Sequence, residues 1–100
     1  MLKRISNKTY AIINGLGFDA IVSKRDGIFG IHIRALDETS LIVSFSGIGE
    51  CWTSEPSKYE ISSCYVDGLK PLIKDFILEN NNDLINLVTV IKNYMEIKGD

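Results

Sequence analysis

Hydrophobic residues follow a helical spacing near the start of the chain. Within residues 4–16 the apolar stripe consists of Ile5, Ile12, Ile13 and Leu16. Such spacings put these positions on one face of a helix. Ser6 could cap a slightly shorter helix, and Asn14-Gly15 together with Gly17 would end it through residues with positive φ. We therefore predict a first helix within residues 4–16.

From residue 18 onward the period of the apolar positions changes to two, the side-chain period of a β-strand. The alternating runs lie at residues 18–23, 29–35, 41–46 and, more weakly, 59–65. Asp26-Gly27 joins the first two runs and is a strong signal for a two-residue hairpin, because both turn positions need φ above zero. In the fourth run Cys64 and Val66 fall out of phase, which predicts a β-bulge. The short connections between successive strands predict an antiparallel meander.

The same alternation assigns a core face and a solvated face to the predicted sheet. The core-facing positions are Phe29, Ile31, Ile33, Val43, Phe45 and Ile61. The opposite face carries Gly30, His32, Arg34, Ser44 and Ser46. This division is typical of an antiparallel sheet that has helices on one side only.

Two further helices are predicted after the strands. The stripe of the second helix consists of Leu69, Leu72, Ile73, Phe76 and Ile77. Pro71 is tolerated only in a first turn, so this helix would begin at residue 69 or 70. Asn82 or Asp83 would cap the third helix, predicted over residues 83–95. Its stripe consists of Leu84, Leu87, Val88, Ile91 and Met95.

These elements predict a single α+β domain over residues 1–100. The architecture is a four-stranded antiparallel meander sheet with helices packed on one face, in the order α-β-β-β-β-α-α. A chain of 100 residues with 45% hydrophobic and 24% charged residues fits this expectation.

The sequence composition also indicates the cellular compartment of the protein. No apolar run reaches the roughly 18 to 20 residues that cross a bilayer, and the first residues lack the apolar stretch of a signal peptide. We therefore expect a cytoplasmic protein without membrane contact. Cys51 and Cys64 are then expected to be reduced thiols, because the cytosol keeps thiols reduced.

The net charge of −2 is too small to draw the chain toward nucleic acid or an anionic membrane. Its distribution is uneven, with six basic against two acidic residues in 1–34 and one basic against six acidic residues in 35–69. These two segments either neutralise each other in the fold or form one basic and one acidic face for complementary partners.

The residues that carry chemistry are sparse. His32 is the only histidine, so a hydrolase would need an arrangement such as Cys51–His32–Asp37, which nothing in the spacing supports. Two cysteines and one histidine do not form a tetrahedral zinc site. The glycine pairs at 15–17 and 47–49 lack the third glycine and the strand–helix context of a dinucleotide fingerprint. We expect no catalytic residue, no metal site and no cofactor.

The only tryptophan, Trp52, lies in the connection 47–57, which is longer than a tight hairpin requires. Either Trp52 folds back and caps the core, or it is a partly exposed anchor with Ile48 beside it and an acidic rim of Glu50 and Glu55. The second arrangement is the pattern of a binding hot spot. These four residues are the predicted partner-binding residues.

The third helix is apolar beyond its main stripe. Ile85, Val90 and Tyr94 lie on its flanks and have no obvious internal partner in the sequence pattern, unless the second helix packs over them. They are the candidate surface for a homodimer.

The sequence favours a small non-enzymatic protein-binding module: an inhibitor, an immunity or antagonist protein, or an adaptor. An alternative is a small-molecule-binding or enzymatic domain that uses the polar sheet face around His32 and Arg34, with Ser44 and Ser46. A less favoured alternative is a nucleic-acid binder that uses the basic first hairpin, with Lys24 and Arg25, which has no aromatic residue on its basic face. A concave site converging on His32 and Arg34 would favour the first alternative.

Overall fold

The computed structural model describes residues 2–37, 40–48 and 58–99 of the chain. In chain order the elements are α1 (Asn7–Gly15), β1 (Phe18–Arg25), β2 (Ile28–Ala35), β3 (Leu41–Ile48), β4 (Lys58–Cys64), α2 (Lys70–Ile73) and α3 (Asn81–Gly99). The four strands form one antiparallel sheet in the order β1-β2-β3-β4, and the helices pack on one of its faces. The predicted fold class is confirmed.

The first hairpin forms where the sequence places it. Asp26 has φ 53° and Gly27 has φ 81°, as a two-residue turn of this kind requires. Arg25 pairs with Ile28 directly across the turn. The register of the whole hairpin follows from this closing pair, because side chains alternate strictly along both strands.

Two β-bulges interrupt the sheet. The register between β2 and β3 shifts between Ile33 and Arg34, so Ile42 is the extra residue on β3. The register between β3 and β4 shifts at Ser44, so Ser62 is the extra residue on β4. The second shift is the predicted bulge, and it returns Cys64 to the core side. The first was not predicted, and it allows Ile42 to be buried next to Val43.

The core lies between the sheet and the helices. Its largest fully buried residues are Ile13, Ile31, Ile33, Val43, Leu69, Ile73, Leu84, Leu87, Val88 and Ile91. Of the predicted sheet positions, Phe45 is also buried, whereas Phe29 and Ile61 are half-buried at the margin. Each fully buried aliphatic side chain contributes about 1.5 to 3 kcal/mol to folding.

Helix α1 is shorter than the predicted range 4–16. Ser6 is the N-cap, and its hydroxyl accepts a hydrogen bond from the Thr9 amide at 3.2 Å. Of the two glycines expected to end the helix, only Gly17 has positive φ, and Gly15 is the last helical residue. Ile12 points to solvent instead of the core, and buried Thr9 lies closer to the core.

Helix α2 is a single turn, so the predicted helix over residues 69–77 is wrong beyond Ile73. The amide of Leu2 donates to the carbonyl of Leu78, and Leu78 is buried. This long-range contact favours an extended path after residue 75, since a helix would keep Leu78 from that partner. Ile77 consequently remains 65% exposed.

Helix α3 begins at Asn81 instead of near residue 83. Asn80 accepts a hydrogen bond from the Asp83 amide at 3.0 Å, and the Asp83 carboxylate accepts one from the Asn80 amide at 3.2 Å. These reciprocal bonds form a capping box, so Asn80 is the cap in place of Asn82 or Asp83. No helix among the described residues is long and apolar enough to cross a membrane.

Candidate functional site: the helix-free face of the sheet

The side chains that point away from the core form a surface that none of the three described helices covers. We call it the helix-free face. From β1 to β4 it consists of Asp19, Ile21, Ser23, Arg25, Ile28, Gly30, His32, Arg34, Leu41, Ser44, Ser46, Glu60 and Ser63. The strand register determines which residues share this face, because alternate residues of a strand point to the same side of the sheet.

A row of hydrogen-bonded polar side chains crosses the centre of this face. His32 Nε2 lies 3.1 Å from Ser23 Oγ on β1, and His32 Nδ1 lies 2.9 Å from Ser44 Oγ on β3. Ser62 Oγ donates to the carbonyl of Ser44 at 3.1 Å. Both ring nitrogens therefore have partners within the sheet, and the row fixes the orientation of the imidazole.

Gly30 leaves the space that this row needs. A Cβ atom at residue 30 would lie 3.1 Å from Ser23 Oγ and 3.3 Å from His32 Nε2. These are close contacts, and a side chain here would press on the hydrogen bond between Ser23 and His32. The glycine thus serves the packing of the face, not a turn.

Arg34 is held at one end of the face by an ion pair. Its Nη2 donates to Asp19 Oδ2 at 3.0 Å, across the β1–β2 pair. Both side chains keep contact with solvent, so the pair contributes about 1 kcal/mol or less. Arg34 therefore does not converge on the same point as His32.

Exposed aliphatic side chains surround the polar row. Ile28 is 54% exposed at the start of β2, and Ile21 and Leu41 are exposed beside the His32–Ser44 pair and at the start of β3. Single exposed apolar residues are ordinary on protein surfaces. These three lie on one sheet face, at its hairpin end, beside His32 and beside Arg34, with polar side chains between them.

An open depression of about 620 Å³ lies at the hairpin end of this face. It is lined by Ser23, Lys24, Arg25, Asp26, Ile28, Phe29, Gly30, His32 and Ser46. Lys24 Nζ lies 5.2 Å from the centre of the Phe29 ring, within the range of a cation–π contact. The depression reaches His32 but not Arg34, so only part of the polar lining predicted from the sequence comes together.

The structure describes one of the four predicted partner-binding residues. Trp52, Glu50 and Glu55 lie outside the described residues. Ile48 lies at the end of β3, where its backbone pairs with Lys58 at the start of β4. Because strand direction alternates in a meander, these two strand ends lie at the same end of the sheet as the turn at Asp26–Gly27. The connection that contains Trp52 thus starts and finishes beside the depression.

The candidate homodimer residues are not equivalent. Val90 and Tyr94 are half-buried and pack against the core, and the Tyr94 hydroxyl donates to the carbonyl of Asp67. The expectation that these two lack an internal partner is therefore wrong. Ile85 is half-buried without belonging to the core cluster. Self-association through the C-terminal helix stays a prediction.

Sequence reasoning missed one buried polar anchor. The Tyr59 hydroxyl on β4 donates to the carbonyl of Leu2, and burial raises the pKa of Tyr59 from 10.0 to about 12. The strand parity predicts that Tyr59 faces inward, but no sequence signal indicates its partner 57 residues away.

Within the described ranges no group of three histidine, cysteine, aspartate or glutamate side chains is placed to hold a metal ion. Cys64 is a free thiol whose sulfur lies 3.6 Å from the carbonyl of Val66. No protein family, curated protein or solved structure matches the chain.

Proposed function

We propose that this domain is a non-enzymatic protein-binding module that contacts a folded partner through the helix-free face. The observation that carries the proposal is the arrangement of Ile21, Ile28 and Leu41 around a polar centre that is already hydrogen-bonded. It is a surface of mixed polar and aliphatic side chains on strands instead of loops, and the partner is a protein whose apolar side chains contact these three residues.

The energetics of covering this face support the proposal. A polar group that loses water without gaining a partner costs about 1 to 3 kcal/mol. The hydrogen bonds of Ser23, His32 and Ser44 to one another remain in place when a partner covers them. The aliphatic residues around them then contribute their burial without a large opposing desolvation cost.

The small-molecule alternative has less support from the same geometry. Both ring nitrogens of His32 are engaged by serines, and Arg34 is paired with Asp19 outside the depression. A ligand site needs a few convergent polar groups that are free to contact the ligand. The nucleic-acid alternative was expected to lack an aromatic residue beside its basic ones, but the Phe29 ring lies against Lys24. The helix-free face as defined above still carries no phenylalanine, tyrosine or tryptophan on which bases could stack.

The connection that contains Trp52 is flanked by Ile48 at the end of β3 and by Lys58 at the start of β4. It leaves and re-enters the sheet at the end where Ile28 and the depression lie. We infer that Trp52, with Glu50 and Glu55, extends the binding surface at that end as its aromatic anchor. The cytoplasmic location inferred from the sequence completes the proposal.

The proposal is tested with a matched pair of isoleucines. Ile28 is 54% exposed on the helix-free face, and Ile97 is 77% exposed near the end of α3. Affinity capture from the native host identifies the partner, and calorimetry then measures its affinity for the wild-type protein, Ile28→Asp and Ile97→Asp. We expect Ile28→Asp to weaken binding by about 2 kcal/mol, or roughly 30-fold, the scale of a hot-spot residue.

Ile97→Asp is the control and should bind like the wild-type protein. Both changes replace exposed side chains, so circular dichroism should show an intact fold for each. Equal binding by Ile28→Asp and the wild-type protein would contradict the proposed face. A partner lost by both variants would argue for a nonspecific effect of charge.

A further inference from the structure

The geometry points to a second binding surface: the outer edge of β4 takes up an extended segment of another protein as a fifth strand of the sheet. This inference concerns a different surface from the helix-free face and does not depend on it. It rests on the register of the sheet, the cleft beside β4 and the charges that line the cleft.

The register identifies which backbone groups of β4 point outward. In a two-residue hairpin the closing pair, here Arg25 and Ile28, exchanges both backbone hydrogen bonds. Successive residues of a strand direct their backbone hydrogen bonds alternately to one neighbouring strand and to the other. Because Ile28 bonds to β1, the odd-numbered residues of β2 bond to β3. The even positions of β3 in turn face β4, so the alternation makes Ser46–Glu60 and Ile48–Lys58 the hydrogen-bonded pairs of the register.

Tyr59 and Ile61 are left with their amides and carbonyls directed away from the sheet. The hydrogen bond from the Tyr65 amide to the Ile42 carbonyl, 2.9 Å long, agrees with this alternation. No described strand pairs with the outer edge of β4, since β4 ends the strand order. Two residues therefore offer a row of donors and acceptors in the spacing that an added strand requires.

A cleft of about 500 Å³ lies along this edge. Its lining consists of Tyr59, Glu60 and Ile61 on the strand side, and of Lys70, Lys74, Asp75, Phe76 and Ile77 on the other side. The second wall exists because α2 stops after one turn and the chain continues without a helix. Ile77 is 65% exposed there and gives the cleft an apolar surface for an incoming side chain.

The charges of the cleft favour an acidic segment. Within the described part of the chain, neither Lys70 nor Lys74 forms an ion pair, and both are exposed. Glu60 lines the cleft from the strand, but its side chain belongs to the helix-free face, so Asp75 is the opposing carboxylate on the wall that carries the two lysines. Two lysines against one such carboxylate favour a negatively charged ligand.

The occupant is therefore an extended segment of a partner protein in which acidic and aliphatic side chains alternate. Its backbone would bond to Tyr59 and Ile61. Its aliphatic side chains would contact Phe76 and Ile77, and its carboxylates would lie near Lys70 and Lys74. In strand addition, backbone hydrogen bonds provide the affinity and alternate side chains of the added strand provide the specificity. The second wall of this cleft offers contacts for those side chains.

The test uses an acetylated heptapeptide of alternating glutamate and valine, added at millimolar concentration to the isotopically labelled full chain. Amide hydrogen exchange followed by NMR reports each backbone group. We expect the peptide to slow exchange at the amides of Tyr59 and Ile61. The amides of Val22 and Lys24, at the opposite edge of the sheet, should be unaffected and serve as an internal control.

Two matched peptides separate strand addition from simple contact. A lysine–valine heptapeptide should bind at least about fivefold more weakly, because its charges oppose Lys70 and Lys74. A glutamate–valine peptide methylated on alternate backbone nitrogens should lose at least about tenfold in affinity, because it cannot pair with a strand edge.

Variants of the protein complete the test. Lys74→Glu should weaken binding of the acidic peptide about fivefold, whereas Lys8→Glu makes the same charge change on α1 and should have little effect. Ile28→Asp should leave peptide binding unchanged, so a failure here is distinct from a failure of the helix-free face.

Three results would overturn the inference. The first is unchanged exchange of the Tyr59 and Ile61 amides at saturating peptide. The second is equal binding by the N-methylated peptide, which would mean that side chains alone make the contact. The third is protection that rises with protein concentration in the absence of peptide, because the occupant of the edge would then be a second copy of the chain.

Discussion

The two edges of the sheet are treated differently by the rest of the chain. At the β1 edge the register directs the backbone groups of Phe18 and Ala20 outward, and side chains engage them. Asn14 Nδ2 donates to the Phe18 carbonyl at 2.9 Å, and Asp19 Oδ1 accepts from the Ala20 amide at 3.0 Å. At the β4 edge the outward groups of Tyr59 and Ile61 face a cleft instead.

This difference shows how a small sheet can protect one edge and leave the other available. Exposed strand edges pair readily with other chains, and proteins block them with side chains, charges or covering segments. At β1 the helix α1 supplies Asn14, the strand supplies Asp19, and Lys24 and Arg25 add positive charge. At β4 the covering segment stands away from the strand and leaves a lined space. We regard the first edge as blocked and the second as a binding site.

The largest expected effect concerns the internal anchor of β4. Burial raises the pKa of Tyr59 to about 12, so the folded state keeps the hydroxyl protonated at pH values where the unfolded chain loses this proton. The stability contributed by this group is complete below pH 10 and is lost as the pH rises from about 10 toward 12. The loss is at most about 3 kcal/mol.

Urea unfolding at pH 7, 10 and 11 measures this effect, with Tyr59→Phe as the test variant. The variant should lose about 1 kcal/mol at pH 7, because the hydrogen bond to Leu2 is absent, and its stability should depend less on alkaline pH. Tyr65→Phe removes an exposed hydroxyl just beyond β4 and is the control. Equal alkaline slopes for Tyr59→Phe and Tyr65→Phe would show that Tyr59 is not the anchor.

A smaller effect is expected at the blocked edge. Asp19→Ala removes the acceptor for the Ala20 amide and the ion pair with Arg34, so we expect a loss of about 1 to 2 kcal/mol. Asp19→Asn keeps an oxygen that can accept from Ala20 and should lose less. Amide exchange at Ala20 should accelerate in the alanine variant only. If both variants behaved alike, the ion pair and not the capped amide would be the main contribution.

The smallest expected effect on stability concerns the part of the β1 edge that is protected by charge alone. Lys24→Val replaces a charged edge residue by one with high strand propensity and should change the free energy of unfolding by less than about 1 kcal/mol. It should instead promote association through β1, because the edge loses a protecting charge. Analytical ultracentrifugation compares it with Lys8→Val on α1. A monomeric Lys24→Val protein at high micromolar concentration would mean that Asn14 and Asp19 suffice to block the edge.

The sequence predicted the elements whose signals are local. The period of two placed the sheet strands, and Asp26-Gly27 placed the first hairpin with its register. The phase change at Cys64 located a bulge, because a single extra residue inverts the faces of the residues beyond it. The polar residues of the helix-free face, with His32 between two serine-bearing strands, followed from the same alternation.

The parts that sequence reasoning missed depend on contacts between distant residues. The stripe from Leu69 to Ile77 has helical spacing, but α2 ends at Ile73 while Leu78 pairs with Leu2. One turn of helix has little stability of its own, so the long-range contact decides the path. The cleft beside β4 is a consequence of that early ending, which is why no sequence signal pointed to it.

The sequence by itself therefore determined the order of the elements, the sheet topology and the faces of its strands, since these follow from residue-by-residue periodicity and turn chemistry. Only the tertiary structure decided which polar groups satisfy one another. It fixed His32 between Ser23 and Ser44, paired Arg34 with Asp19, and left the edge of β4 open while side chains closed that of β1. Hydrogen bonds between residues far apart in the chain leave no periodic pattern in the sequence. These bonds decide whether the polar groups of a surface can bind a partner or are already paired within the protein.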